Sequence, residues 1–60
     1  MYAIKINWAK HNWFIKPPSG YEYVDESEDE YTTKDKAKTW STREEAEEAI
    51  TEPWEEICQI

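Results

Sequence analysis

Sixty residues carrying 14 acids against seven lysines and arginines, at a net charge of −7, make one small acidic domain and exclude a second one. A domain of this length buries only about 60% of its unfolded surface and needs a staple, a metal, a partner subunit or very good packing. Cys58 is the single cysteine, which excludes an intrachain disulfide and suits a reducing compartment, so the cytoplasm is the expected location.

Met1 leads straight into Tyr2-Ala3-Ile4-Lys5-Ile6, with no long apolar run behind it. Neither a signal peptide nor a membrane span is therefore expected, a span needing about 20 apolar residues. Tyr2, Ile4, Ile6 and Trp8 alternate with Ala3, Lys5, Asn7 and Ala9, the period of a half-buried strand. Lys10-His11-Asn12 is a polar break, and Trp13-Phe14-Ile15-Lys16 reads as a second strand. Pro17-Pro18-Ser19-Gly20 is a turn, because proline presets φ and glycine permits φ > 0. Tyr21-Glu22-Tyr23-Val24 follows as a third strand with its tyrosines on one face.

Asp25-Glu26-Ser27-Glu28-Asp29-Glu30 reads as an acidic loop or hairpin tip. Tyr31-Thr32-Thr33 and Ala37-Lys38-Thr39-Trp40 have strand character, with Lys34-Asp35-Lys36 turning between them. Ser41…Glu44 and Thr42…Glu45 each fit a capping box, so a helix starts there with two candidate caps. Ala46, Ala49 and Ile50 form its narrow apolar stripe, and Pro53 stops it near Thr51. A helix of ten residues is unstable alone and must dock on the sheet through its alanines. The tail fits a helix face through Trp54, Ile57 and Cys58, or a strand over residues 55–60; after Pro53 the strand is preferred. The expected fold is α+β: a small antiparallel sheet of three to five short strands with one helix over about 42–51.

Isoleucine, valine and phenylalanine total eight residues and leucine is absent, a composition that with this charge borders on disorder. Nine aromatics argue for a folded, aromatic core.

Catalysis needs a convergent nucleophile, base and stabiliser. One histidine, His11, and one cysteine, Cys58, offer little: the simplest reading puts His11 in a turn and Cys58 in apolar packing. A cysteine–histidine zinc site is excluded, and so is a glycine-rich phosphate loop, Gly20 being the only glycine. Asp25, Ser27 and Asp29 mimic the first ligands of an EF-hand loop. Glu30 stands where that loop turns on glycine, and Lys36 where it closes on glutamate, so the match fails at its most demanding positions. The expectation is a non-enzyme with no cofactor and no metal.

What remains is charge placement. Residues 1–20 hold three lysines and no acid, while residues 21–60 hold all 14 acids and four bases. Glu22, Asp25, Glu26, Glu28, Asp29 and Glu30 put six acids in nine residues. Extended, that is one charge per roughly 5 Å, against about 3.4 Å along a nucleic-acid strand. Glu44, Glu45, Glu47 and Glu48 form a second cluster, continued by Glu52, Glu55 and Glu56. If both clusters lie on one side of the molecule, they suit the basic groove of a nucleic-acid-binding enzyme or complex, bound fast and salt-sensitively. The plainer alternative is that the acids only keep the chain soluble. The contact would then be an aromatic sheet face around Trp13 or Phe14, against a protein partner or a second copy in a homodimer. Direct nucleic-acid binding is disfavoured by the net charge.

The segment Ala37-Lys38-Thr39-Trp40-Ser41-Thr42-Arg43-Glu44-Glu45-Ala46 resembles a pattern in very small phage and prophage proteins. There a strand ending in an aromatic enters a Ser/Thr-capped, Glu-Ala-rich helix. The resemblance covers about 15 residues and, with the length and the charge, implies the broad class of phage-encoded inhibitors: anti-CRISPR proteins, anti-restriction proteins and uracil-DNA glycosylase inhibitors. Several of that class are acidic DNA mimics, which would act in the host cytoplasm.

Overall fold

The structure, a computed structural model, describes residues 1–10 and 17–60. The strand expected over Trp13–Lys16 lies outside the described residues, as do His11 and the question of which way Trp13 and Phe14 face.

Everything is built around β1 (Tyr2–Ile6). Its alternation and β-branched isoleucines suit a pleated, half-buried surface. β5 (Glu55–Gln59) runs antiparallel along its whole length, from Tyr2 opposite Gln59 to Ile6 opposite Glu55. The other edge of β1 is shared by two short strands. β2 (Tyr23–Val24) sits opposite Lys5, and β4 (Thr39–Trp40) sits opposite Ala3 and Tyr2. The Lys38 N–H donates to the Val24 carbonyl at 2.8 Å, where one strand gives way to the other. β3 (Tyr31–Thr32) pairs with β2 across the acidic turn, completing a five-stranded sheet among the described residues.

β4 and β5 both run antiparallel to β1, so they are parallel to each other with β1 between them. The crossover joining them is α1 (Arg43–Glu48), which packs on β1, β4 and β5. The structure therefore has the α+β architecture that the sequence pattern predicts.

Ala3, Ile4, Ile6, Val24 and Ala46 are buried, and no polar side chain is buried among the described residues. Ala3 and Ile4 are neighbours on a strand and point to opposite faces, so both faces of β1 are covered.

Several boundaries differ from the sequence reading; β3 stops at Thr32 rather than Thr33, and β4 starts at Thr39 rather than Ala37. β1 ends at Ile6, not Trp8. The Asn7 side-chain oxygen accepts the Ala9 N–H at 3.1 Å and the Asn7 carbonyl accepts the Lys10 N–H at 3.0 Å, winding Trp8–Lys10 into a 3₁₀ turn. Trp8 is consequently exposed. β2 starts only at Tyr23, because the Tyr21 N–H closes a turn onto the Pro18 carbonyl at 3.1 Å, with Gly20 at φ 87° in its third position. Tyr21 thus lies outside the strand that was to share its face with Tyr23. The helix is six residues long, shorter than the 42–51 expected. The Ala49 and Ile50 N–H groups bond back three residues, to Ala46 and Glu47, so its last turn tightens and ends. The tail is the strand preferred from Pro53.

Candidate acidic interface

The hairpin tip between β2 and β3 is held by its own polar groups. Asp25 Oδ1 accepts the Ser27 N–H at 3.1 Å and the Ser27 hydroxyl at 2.7 Å. Ser27 Oγ in turn accepts the Asp29 N–H at 3.3 Å. The Asp25 N–H donates to the Glu30 carbonyl at 3.1 Å and the Glu28 N–H to the Asp25 carbonyl at 3.0 Å. Glu28 takes a left-handed φ of 62°, unusual for a residue with a side chain. This wiring leaves Glu26, Glu28, Asp29 and Glu30 exposed on a tight turn.

The second cluster rides on α1. Thr42 is the cap: its hydroxyl accepts the Glu45 N–H at 3.2 Å and donates to the Glu45 carboxylate at 3.1 Å. Ser41 is therefore not the cap. Ala46 faces the sheet, which turns Glu44, Glu45, Glu47 and Glu48 to solvent. The acids at the first turn also favour the helix dipole.

The ten candidate acids divide by what they already hold. Glu22 pairs with Lys5 at 3.6 Å, Glu28 with Lys38 at 2.9 Å and Glu47 with Arg43 at 3.0 Å. Asp25 is occupied by the turn and Glu45 by the cap. Glu26, Asp29, Glu30, Glu44 and Glu48 make no ion pair among the described residues. No ion pair or side-chain hydrogen bond among the described residues links the hairpin tip to the helix.

What the sequence does not show is the partner of Glu56, which it groups with the helix acids. Glu56 in β5 pairs with Lys10, and that hydrogen bond holds its carboxyl below the usual carboxylate range. Their 46-residue separation in sequence left no local signal; only the β1–β5 register brings them together.

No three metal-ligating side chains converge among the described residues, and none of their helices is long and apolar enough to cross a membrane. An open concavity of about 690 Å³ is lined by Tyr23, Ile60, Gly20 and Thr33, with Glu22, Lys34 and Asp35 at its rim. Its carboxylates are engaged, Glu22 by Lys5 and Asp35 by the Thr33 hydroxyl, and its lining has no nucleophile–base pair. Comparison with family models, with curated proteins and with solved structures gave no match.

Proposed function

We propose that this protein acts by occupying a basic, nucleic-acid-binding groove on a protein partner, an enzyme or defence complex, with no chemistry of its own. The observation that carries this reading is the internal wiring of the hairpin tip. A solubilising acidic loop needs no fixed shape, whereas here Asp25 and Ser27 hold a turn that directs Glu26, Asp29 and Glu30 outward. Preorganised charge costs less to order on binding. Glu44 and Glu48 extend the field along α1. The resemblance of residues 37–46 to small phage inhibitors points the same way and gives the partner its class.

The reading is tested by reversing Glu26, Asp29 and Glu30 to lysine together. This set leaves the Asp25–Ser27 turn and the Lys38–Glu28 pair in place. Partner binding should weaken and its salt dependence flatten. Unchanged binding by a folded triple variant contradicts it.

The competing reading is an aromatic-faced module with acids for solubility. The exposure of Trp8 and Tyr21, 38% and 46%, favours it. Affinity nearly independent of salt, and lost on Trp8→Ala, would distinguish it.

A further inference from the structure

The outer edge of β5 follows from hydrogen-bond parity. Asn7 donates to the Trp54 carbonyl at 2.6 Å and Ile60 to the Met1 carbonyl at 3.0 Å. In an antiparallel ladder the hydrogen-bonded pairs alternate with non-bonded ones. Trp54, Glu56, Cys58 and Ile60 therefore turn their backbone groups toward β1, and Glu55, Ile57 and Gln59 turn theirs away. The Glu55 N–H is taken by the Glu52 carbonyl at 3.2 Å. The Ile57 N–H and C=O and the Gln59 N–H have no hydrogen-bond partner among the described residues, and the Gln59 carbonyl accepts only the Cys58 Sγ–H, at 3.8 Å. An edge of this kind invites another strand, and proteins usually guard it with charge, proline or a bulge. From Ile57 to Gln59 β5 has none of these; its charges, Glu55 and Glu56, stand at its start.

We propose that β5 pairs with β5 of a second copy, antiparallel across a two-fold axis at Cys58. Three registers let two or more pairs of outward residues meet. An axis at Glu56 sets Glu56 against its own copy, a like-charge pair. An axis at Ile57 sets Ile57 against its own copy and Gln59 against Glu55, whose N–H is already engaged, so the Gln59 carbonyl is left without a strand partner. An axis at Cys58 sets Ile57 against Gln59 twice, making four backbone hydrogen bonds that use every outward group of both residues, and sets the Glu56 side chain against the apolar side chain of Ile60. The helices do not obstruct this arrangement. α1 spans β1, β4 and β5, so it centres near β1, about 7 Å from the axis at the usual strand spacing. Two such helices lie about 14 Å apart, beyond the ~10 Å at which helices touch. The dimer makes one continuous sheet and widens a core that is thin in a single chain. Its contact is short, so association is weak and concentration-dependent.

The test is backbone amide exchange with sedimentation on the unmodified protein over a range of concentrations. The Ile57 and Gln59 amides should slow by at least about tenfold as the mass approaches two chains, and speed up again on dilution. Across a non-bonded antiparallel pair the two Cys58 Cα atoms lie about 4.5 Å apart, within disulfide range. The azo oxidant diamide should then take two electrons and two protons from the thiols and leave a Cys58–Cys58 cross-link. Gln59→Pro, which deletes an outward N–H at an edge position, should give a folded monomer that cross-links slowly. A single-chain mass at all concentrations with both amides fast overturns the proposal. So does a dimer in which both amides stay fast.

Discussion

Trp54 Nε1 donates to Tyr31 Oη at 2.9 Å, and that hydroxyl donates to Glu55 Oε2 at 3.3 Å. Tyr31 lies in β3 and Glu55 in β5, with β2 and β1 between. Three strand intervals of about 4.8 Å separate them in a flat sheet, more than the two side chains span. The sheet therefore curls over Val24 and Ile6, and this contact closes the curl. Glu55 Oε1 also accepts the Thr51 and Glu52 N–H groups at 3.0 and 3.3 Å, tying the end of the crossover to the same point.

Removing the Tyr31 hydroxyl should therefore cost more than an exposed hydrogen bond. Tyr31→Phe is expected to destabilise by about 1–2 kcal/mol. Glu55→Ala, which also deletes the acceptor for two backbone N–H groups, should cost more than Tyr31→Phe. Chemical denaturation of both variants checks the order.

The same contact sets the alkaline limit. Burial, with the Glu55 carboxylate beside it, pushes the Tyr31 phenol above its ordinary 10.0, against the hydrogen bond from Trp54. A raised folded pKa means the stability is fully present below pH 10 and is lost as pH rises through the folded value. Tyr31→Phe should flatten the alkaline decline. At the acid end, the Lys10 hydrogen bond depresses Glu56 below 4.5, so its contribution is present above that pH and is lost as pH falls through the folded value. Glu56→Gln should flatten that limb and leave the alkaline one unchanged.

The helix cap separates two neighbouring residues. Thr42→Ala removes the hydroxyl that meets Glu45 and should cost about 1 kcal/mol. Ser41→Ala should stay within about 0.5 kcal/mol. Thermal unfolding of the two single variants distinguishes them.

Gly20→Ala isolates a backbone effect. A Cβ there would meet only Thr33 Cγ2, at 4.0 Å, so no clash contributes. The φ of 87° remains unfavourable for alanine, and the expected loss is about 1 kcal/mol.

Much of the fold was legible because local pattern and tertiary role agree. The alternation of Tyr2 to Ile6 makes the central strand, and Pro53 delivers the tail as a strand. Asn7 was misread because its side chain competes with the ladder that Trp8 would have continued. The helix was overextended because Ala49 and Ile50 keep the apolar period while their N–H groups already bond three residues back. The acidic clusters were plain in composition. Which acids are occupied was not, since Lys5–Glu22, Lys38–Glu28 and Lys10–Glu56 pair across elements.

The central claim is that the hairpin tip stands in for phosphates. The direct measurement immobilises the protein, loads it with nuclease-treated bacterial lysate, and challenges the captured protein with duplex DNA at low salt. The wild type should release that protein to DNA and to raised salt, and the folded Glu26→Lys, Asp29→Lys, Glu30→Lys variant should not capture it. Capture of the same protein by both forms, undisturbed by DNA, would contradict the account.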